Sequence, residues 1–267
     1  MSREDVHDGS DVTEDVRPIL SAGASAAKAT AAVMAGGLGS RLRAVVSDRP
    51  KVLATVCGRP FVQFVLDQIC DAGIRRAVFC TGYLGDQVVA AIGSSYRDVI
   101  VSFSHEDTPL DTAGALKKAS PMIAGDDVIV LNGDSYCDVD LGSVLREHRL
   151  RNFPGTLVVR HVEDSSRYGC VEFSDDCVIT GFHEKRTERT PGWISAGVYC
   201  LKRELLEAIP SGRRVSLERE MFPSWVDLGL LAYPSSGGFV DIGTPEGYSR
   251  APDVLGEARA HGAFSKE

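Results

Sequence analysis

Short runs of almost purely apolar residues, separated by amphipathic stretches, constrain this chain more than any other feature. They are Ala31-Ala32-Val33-Met34-Ala35, Ala77-Val78-Phe79-Cys80, Val99-Ile100-Val101-Ser102-Phe103 and Val128-Ile129-Val130-Leu131. Each is too short for a core helix and lacks the polar alternation of a half-exposed strand. All four read as strands, and the last is of the continuous apolar type expected inside a parallel sheet covered by helices. Between them, Phe61, Phe64, Val65, Leu66, Ile69 and Ala72 recur at helical spacing up to Gly73. Residues 87–92, 112–119 and 141–150 read as further helices. Strands alternating with helices predict a doubly wound, mostly parallel α/β sheet, whose ligands bind beyond the carboxyl ends of the strands.

After residue 154 the pattern changes. Gly155–Val162 and residues 169–173, 178–182 and 194–201 read as strands with less helix between them. That predicts an antiparallel extension of the same sheet. Helices are expected at Arg203–Ala208 and 216–226, and a final strand near 238–240 leads into a helix from Pro245. Residues 1–28 stand apart. Glu4, Asp5, Asp8, Asp11, Glu14 and Asp15 crowd the start, an Ala/Ser/Gly stretch follows, and few large apolar side chains are available to bury, so a disordered acidic tail is expected. The folded unit is expected over 29–255 as a single domain with halves 29–153 and 154–255, followed by a C-terminal tail over 256–267.

The chain of 267 residues is long enough to bury a core without disulfide or zinc staples. Its 29 basic and 37 acidic residues give a net charge of −8, which argues against nucleic acid as the main partner. A small anion held in a local cradle remains compatible with that balance. No apolar run approaches the ~20 residues that span a bilayer, and no secretory segment is evident, so neither a membrane partner nor export is expected. The seven cysteines, Cys57, Cys70, Cys80, Cys137, Cys170, Cys177 and Cys200, are scattered and form no C-x-x-C pair. They read as reduced thiols of a cytoplasmic protein.

Ala35-Gly36-Gly37-Leu38-Gly39-Ser40-Arg41-Leu42-Arg43 follows the first strand. Its glycines let the backbone approach a ligand closely, successive amides favour phosphate, and Arg41 adds a planar cation. A dinucleotide loop would need another glycine at Leu42, and a Walker loop would end in Gly-Lys-Ser/Thr. By itself the loop is equally a plain strand-to-helix turn. Asp134 and Asp241 each end an apolar strand, and each alone is equally a turn or capping aspartate. Asp138-Val139-Asp140 matches the short D-x-D of metal-dependent sugar transferases, but Asp140 reads better as the N-cap of a helix from Leu141.

The glycine loop is followed by Arg49-Pro50-Lys51-Val52-Leu53 and Gly58-Arg59-Pro60. The three phrases together resemble the opening signature of the sugar-nucleotide pyrophosphorylases (nucleotidyltransferases), over residues 30 to 253. Thr81-Gly82-Tyr83, Pro109-Leu110-Asp111-Thr112-Ala113-Gly114-Ala115-Leu116, Leu131-Asn132-Gly133-Asp134-Ser135, residues 216–223 and residues 238–245 are most similar to the D-glycero-α-D-manno-heptose 1-phosphate guanylyltransferases. The resemblance implies a Rossmann-like mixed sheet, with a nucleotide-binding half and an antiparallel half that binds sugar phosphate. It implies a reaction of a nucleoside triphosphate, GTP above others, with a sugar 1-phosphate to give a nucleotide sugar and pyrophosphate.

On that resemblance Arg41 and Lys51 are expected to act on the phosphates, and Asp134 and Asp241 to converge on Mg²⁺. Ala35, Gly36, Gly37, Gly39, Ser40, Gly82 and Gly114 are expected on the nucleotide. Gly169, Glu184, Lys185, Ser195 and Gly197 are expected on the sugar phosphate. Glu106 suits a guanine edge or solvent equally well, and Glu218 suits either the sugar pocket or a helix face. The chain departs from the family's phrases at Ser195, where Asn is common, and at Asp111 and Ala113, where Gly is common. A mannose 1-phosphate enzyme and a non-catalytic regulatory subunit of the same fold are the competing readings, and a homo-oligomer is left open.

Overall fold

The computed structural model describes residues 26–37, 39, 41–42, 45–46, 48–183 and 189–260. Its strands are β1 (Thr30–Ala35), β2 (Thr55–Val56), β3 (Arg59–Pro60), β4 (Arg76–Thr81), β5 (Ser95–Tyr96), β6 (Val99–His105) and β7 (Asp127–Asn132) in the first half. In the second half they are β8 (Ser135–Cys137), β9 (Gly155–Val162), β10 (Cys170–Phe173), β11 (Ile179–His183), β12 (Gly192–Lys202), β13 (Leu230–Ser235) and β14 (Phe239–Asp241). The α-helices are α1 (Val62–Asp71), α2 (Gly85–Ile92), α3 (Asp111–Ala119), α4 (Leu141–Arg151), α5 (Arg203–Ala208), α6 (Phe222–Trp225) and α7 (Pro245–Ala260).

The four apolar runs become β1, β4, β6 and β7, which lie parallel in the order β6-β4-β1-β7. Their residues alternate between two cores. Ala31, Val33, Ala77, Phe79, Ile129 and Leu131 face one side with α1, α2, α4 and α7. Ala32, Val78, Cys80, Val128 and Val130 face the other with α3, α5 and α6. β1, β4 and β7 are buried on both faces, which is why they carry no polar alternation, whereas β6 departs from that expectation and leaves Ile100 exposed. The chain leaves β1 toward β4 on one side and later returns to β7 on the other. The carboxyl end of β1 is therefore the point where strand order reverses, and a crevice opens there.

The second half extends the sheet. β12 runs antiparallel to β7 and β9, and β10 pairs antiparallel with β11 and β12. One strand departs from the expected antiparallel pattern. β13 lies parallel to β9, in a segment where the sequence pattern predicts none. Pro234 lies inside it and cannot donate to a ladder, which masks the run Leu230-Leu231-Ala232-Tyr233 as a strand. Residues 216–226 do not form one α-helix either. A π-helical turn over Leu217–Met221 precedes α6, in which Pro223 lacks the amide a regular helix would use.

Asp140 does cap α4, its Oδ1 accepting the Gly142 amide at 2.9 Å. At the margins, Ala26 is buried inside the segment expected as tail, and α7 continues to Ala260, past the expected boundary at 255. Residues 1–25 and 261–267 lie outside the described residues. All seven cysteines are free, and Cys70, Cys80, Cys137, Cys170 and Cys200 are buried. Among the described residues no helix is long and apolar enough to cross a membrane.

A buried ion pair fixes α4 to the start of β7. Asp127 Oδ2 accepts from Arg149 Nε at 2.6 Å, and His148 Nε2 lies 3.5 Å from its other oxygen. Burial opposes the Asp127 charge, but the hydrogen bonds from His148 and Arg149 outweigh it and hold the carboxyl below its ordinary range. A carboxylate depressed in the folded state stabilises above its unfolded pKa, and that stability is lost as pH falls through the folded value. Urea melts should therefore find wild type more stable than Asp127→Asn at pH 7, with the difference narrowing as pH falls below about 4.

Candidate active site

Two cavities open at the carboxyl edge of the sheet and meet at three shared residues, Asp111, Asn132 and Asp134. The first, of about 280 Å³, lies under the glycine loop and is lined by Met34, Gly36, Gly37, Glu106, Pro109 and Arg214 among others. The second, of about 390 Å³, lies over the extension and is lined by Arg41, Gly169, Ser195, Gly197, Glu218 and Asp241 among others.

The charged junction between them is built from four elements. Asp134 follows β7 and Asp241 ends β14, and β8 and β14 pair so that Ser135 stands opposite Asp241. The Ile242 amide donates to the Asp134 carbonyl at 2.9 Å. A methyl placed on Gly243 would lie 2.8 Å from Asp241 Oδ1, 3.4 Å from Asp134 Oδ2 and 3.7 Å from Arg41 Nη2. Both acids and the arginine thus face one small space. Lys51, which opens the turn Lys51–Leu53, donates to Asp134, and both side chains are 19% exposed.

Each charge here depends on its neighbours. Burial works against the Lys51 ammonium, but Asp134 first and Asp241 next outweigh it and raise the pKa above the ordinary lysine value, with Arg41 opposing. Burial and then the adjacent Asp134 push Asp241 above the usual carboxylate range, against the Gly243 amide, Lys51 and Arg41. Two half-buried carboxylates side by side attract a further cation.

The glycines set the distances. A methyl on Gly37 would lie 3.2 Å from Lys51 Cε, so the loop rests on the lysine stem. Gly39 takes φ +62 beside the same side chain. Methyls on Gly36 and Gly82 would lie 2.7 and 2.9 Å from Glu106 Oε1, so both glycines make room for that carboxylate. Glu106 Oε2 accepts the Leu110 amide at 3.0 Å, and burial raises its pKa. Ala35 is buried inside β1 and meets the site only through the loop that follows it. Gly114 lies away from the cavities. Its missing side chain admits Arg213, whose carbonyl would be 2.9 Å from a methyl there, and its amide donates to Val215.

The second cavity is shaped by a bulge in β12 between Ser195 and Tyr199. Gly197 takes φ +76 there, with Ser135 Oγ and Asn132 Nδ2 packed beneath it. Ser195 Oγ donates to Tyr199 Oη at 3.1 Å, and Tyr199 Oη donates to Glu218 Oε1 at 3.5 Å. Glu218 Oε2 accepts from Thr112 Oγ1 at 2.8 Å and from Ser216 Oγ at 3.1 Å. Ser40, Glu184 and Lys185 lie outside the described residues. Arg167, Arg214 and Arg219 join the walls from turns that carry no signal in the sequence pattern, while Asn132 at the end of β7 and Tyr199 in β12 join them from strands.

The junction suits phosphate chemistry. Arg41 and Lys51 stand beside the glycine loop at the junction, and the two carboxylates suit a hard cation completed by phosphate oxygens. Among the described residues no group of three or more His, Cys, Asp or Glu side chains is arranged to hold a metal alone. At Gly197 the left-handed φ and the close Ser135 predict that Gly197→Ala costs at least ~1–2 kcal/mol, read as a lower urea midpoint.

Comparison with known proteins agrees with this geometry. Residues 30–256 match the Nucleotidyl transferase family. A Mannose-1-phosphate guanylyltransferase of Mycobacterium tuberculosis is 32% identical over 224 residues, covering 82% of this chain and 62% of that protein. This chain thus spans less than two thirds of that relative's length. A D-glycero-alpha-D-manno-heptose 1-phosphate guanylyltransferase of Aneurinibacillus thermoaerophilus is 31% identical over 226 residues, covering 84% of this chain and 97% of that one. The crystal structure of HddC from Yersinia pseudotuberculosis complexed with GMP-PN superposes with a TM-score of 0.74 at 29% identity, covering 85% of this chain and 99% of that one. The first two of these relatives are sugar-1-phosphate guanylyltransferases, and the chain belongs to the nucleotidyl transferase family.

Proposed function

We propose that this protein transfers GMP from GTP to a sugar 1-phosphate, D-glycero-α-D-manno-heptose 1-phosphate before mannose 1-phosphate, releasing pyrophosphate. The observation that carries the reading is the pair of cavities meeting at Asp134 beneath Lys51 and Arg41. One side lies under the glycine loop and the other over the antiparallel extension, and the charges stand at the junction where two phosphates would meet. The choice of heptose rests on the phrases at 109–116, 131–135 and 216–223. The cytoplasm is the proposed location, which the seven unpaired cysteines support.

The sugar phosphate is already ionised at pH 7, so its oxygen attacks the α-phosphorus without a general base. The work of the protein is alignment and charge cancellation. Arg41 and the amides at Gly36, Gly37 and Gly39 face the leaving β- and γ-phosphates. Lys51 is held charged by the two acids and offers its remaining protons to the α-phosphate and the incoming phosphate. Asp134 and Asp241 are the residues to hold Mg²⁺, which supplies Lewis-acid charge when bound. Glu106 presents its Oε1 between Gly36 and Gly82, where an ionised carboxylate accepts from the N1 and N2 hydrogens of guanine. Ser195 and Gly197 line the sugar side, and Glu184 and Lys185 are proposed to complete it.

The test is pyrophosphate release with Mg²⁺ from GTP, ATP, CTP, UTP or dTTP, paired with heptose 1-phosphate or mannose 1-phosphate. Release confined to GTP with the heptose phosphate is expected; release with mannose 1-phosphate alone would move the substrate. Folded protein that binds GTP but releases nothing with either sugar would favour the regulatory-subunit reading. Asp134→Asn and Asp241→Asn should abolish turnover while circular dichroism stays native, and wild-type turnover in either would overturn the metal assignment. Lys51→Ala should slow turnover ~10²–10³-fold, as loss of one preorganised donor does elsewhere. Glu106→Gln should narrow the preference for GTP over ATP by about tenfold, since an amide offers one acceptor against two donors.

A further inference from the structure

Asp111 faces both cavities and opens α3 with φ +63, a left-handed conformation that few residues other than Gly, Asn and Asp adopt. Its Oδ2 receives Arg219 from the wall of the second cavity and, at 3.4 Å, Arg214 from the wall of the first. Its Oδ1 accepts the Thr112 amide at 2.9 Å. Thr112 continues the attachment. Its Oγ1 accepts the Leu217 amide at 2.8 Å and donates to Glu218 Oε2 at 2.8 Å. The Ala113 and Gly114 amides donate to the Val215 carbonyl. The first turn of α3 therefore holds the whole π-helical turn that carries Glu218 and Arg219.

Stability does not account for an aspartate at this position. Arg214 and Arg219 are 69% and 55% exposed, and ion pairs to such side chains contribute little to folding. A residue in an uncommon backbone conformation at the seam of two cavities, bonded to a wall of each, points to the site instead. We infer that Asp111 is a positioning residue that fixes Glu218 and Arg219 against the second cavity and thereby sets affinity for the sugar 1-phosphate. This rests on the reading of that cavity as the sugar side.

Asp111→Asn separates charge from backbone, because Asn tolerates the left-handed region. The variant should raise KM for the sugar 1-phosphate about tenfold while kcat and KM for GTP stay within about twofold and Tm is unchanged. Arg219→Ala should do the same, and the double variant should be no worse than either single one. Additive losses, or a lower Tm with both KM values raised alike, would overturn the inference. If wild type turns over no nucleotide and sugar pair, the function proposed above fails, and hydrogen exchange then tests the attachment by itself. Faster exchange of the 215–221 amides in Asp111→Asn would uphold the attachment, and unchanged exchange would overturn it.

Discussion

The amide of Gly133 donates to the carbonyl of Met34 at 3.0 Å, and a methyl on Gly133 would lie 2.8 Å from that same oxygen. This contact brings the carboxyl ends of β1 and β7 together, and the site is built around it. β1 consists of small residues between two parallel neighbours, so its end cannot drift sideways. The glycine loop leaves from one side of the contact and Asp134 from the other. Lys51 then closes the gap by bonding Asp134 while the loop rests on its stem. The position of strand reversal becomes a charged crevice because two backbones approach there without side chains between them.

The electrostatics follow from that geometry. Asp134 and Asp241 are forced together by the pairing of β8 with β14 and by the bond from Ile242 to the Asp134 carbonyl. In a partly desolvated place, like charges at this range are expensive, and burial with Asp134 raises the pKa of Asp241. Lys51 and Arg41 relieve part of that repulsion, and Lys51 stays charged because of it. A fold whose stability alone mattered would not assemble two acids this way. Two polyanionic substrates and a hard cation make such a cluster useful.

The second cavity comes from two irregularities. A bulge in β12 turns Ser195 and Gly197 over Asn132 and Ser135, and a π-helical turn presents Glu218 and Arg219 from the opposite wall. Tyr199, buried beneath, joins the two by hydrogen bonds to Ser195 and Glu218, and burial raises its pKa well above the usual phenol value. Irregular backbone serves here because a regular strand or helix would aim these side chains into the core or into solvent.

Short apolar runs alternating with helices point to a covered parallel sheet, so β1, β4, β6 and β7 were legible from residue order alone. Arg41, Lys51 and Asp134 were marked by the family phrases they stand in rather than by any local rule. Asp140 showed itself as a cap because it stands directly before a helix-forming stretch. What sequence left hidden was every feature that depends on register between distant segments. Asp241 meets Asp134 only through a two-stranded pairing across about a hundred residues, and β13 is a strand only because β9 offers an edge that Pro234 does not obstruct. Asp111, Arg214 and Arg219 carry no local pattern, and their meeting is decided by how the π-helical turn docks on α3. Local periodicity determined the parallel core of the sheet, and the family phrases marked the residues of the charged site. Tertiary structure decided the convergence, since hydrogen-bond register is fixed by packing of whole elements and leaves no mark on the residues between them.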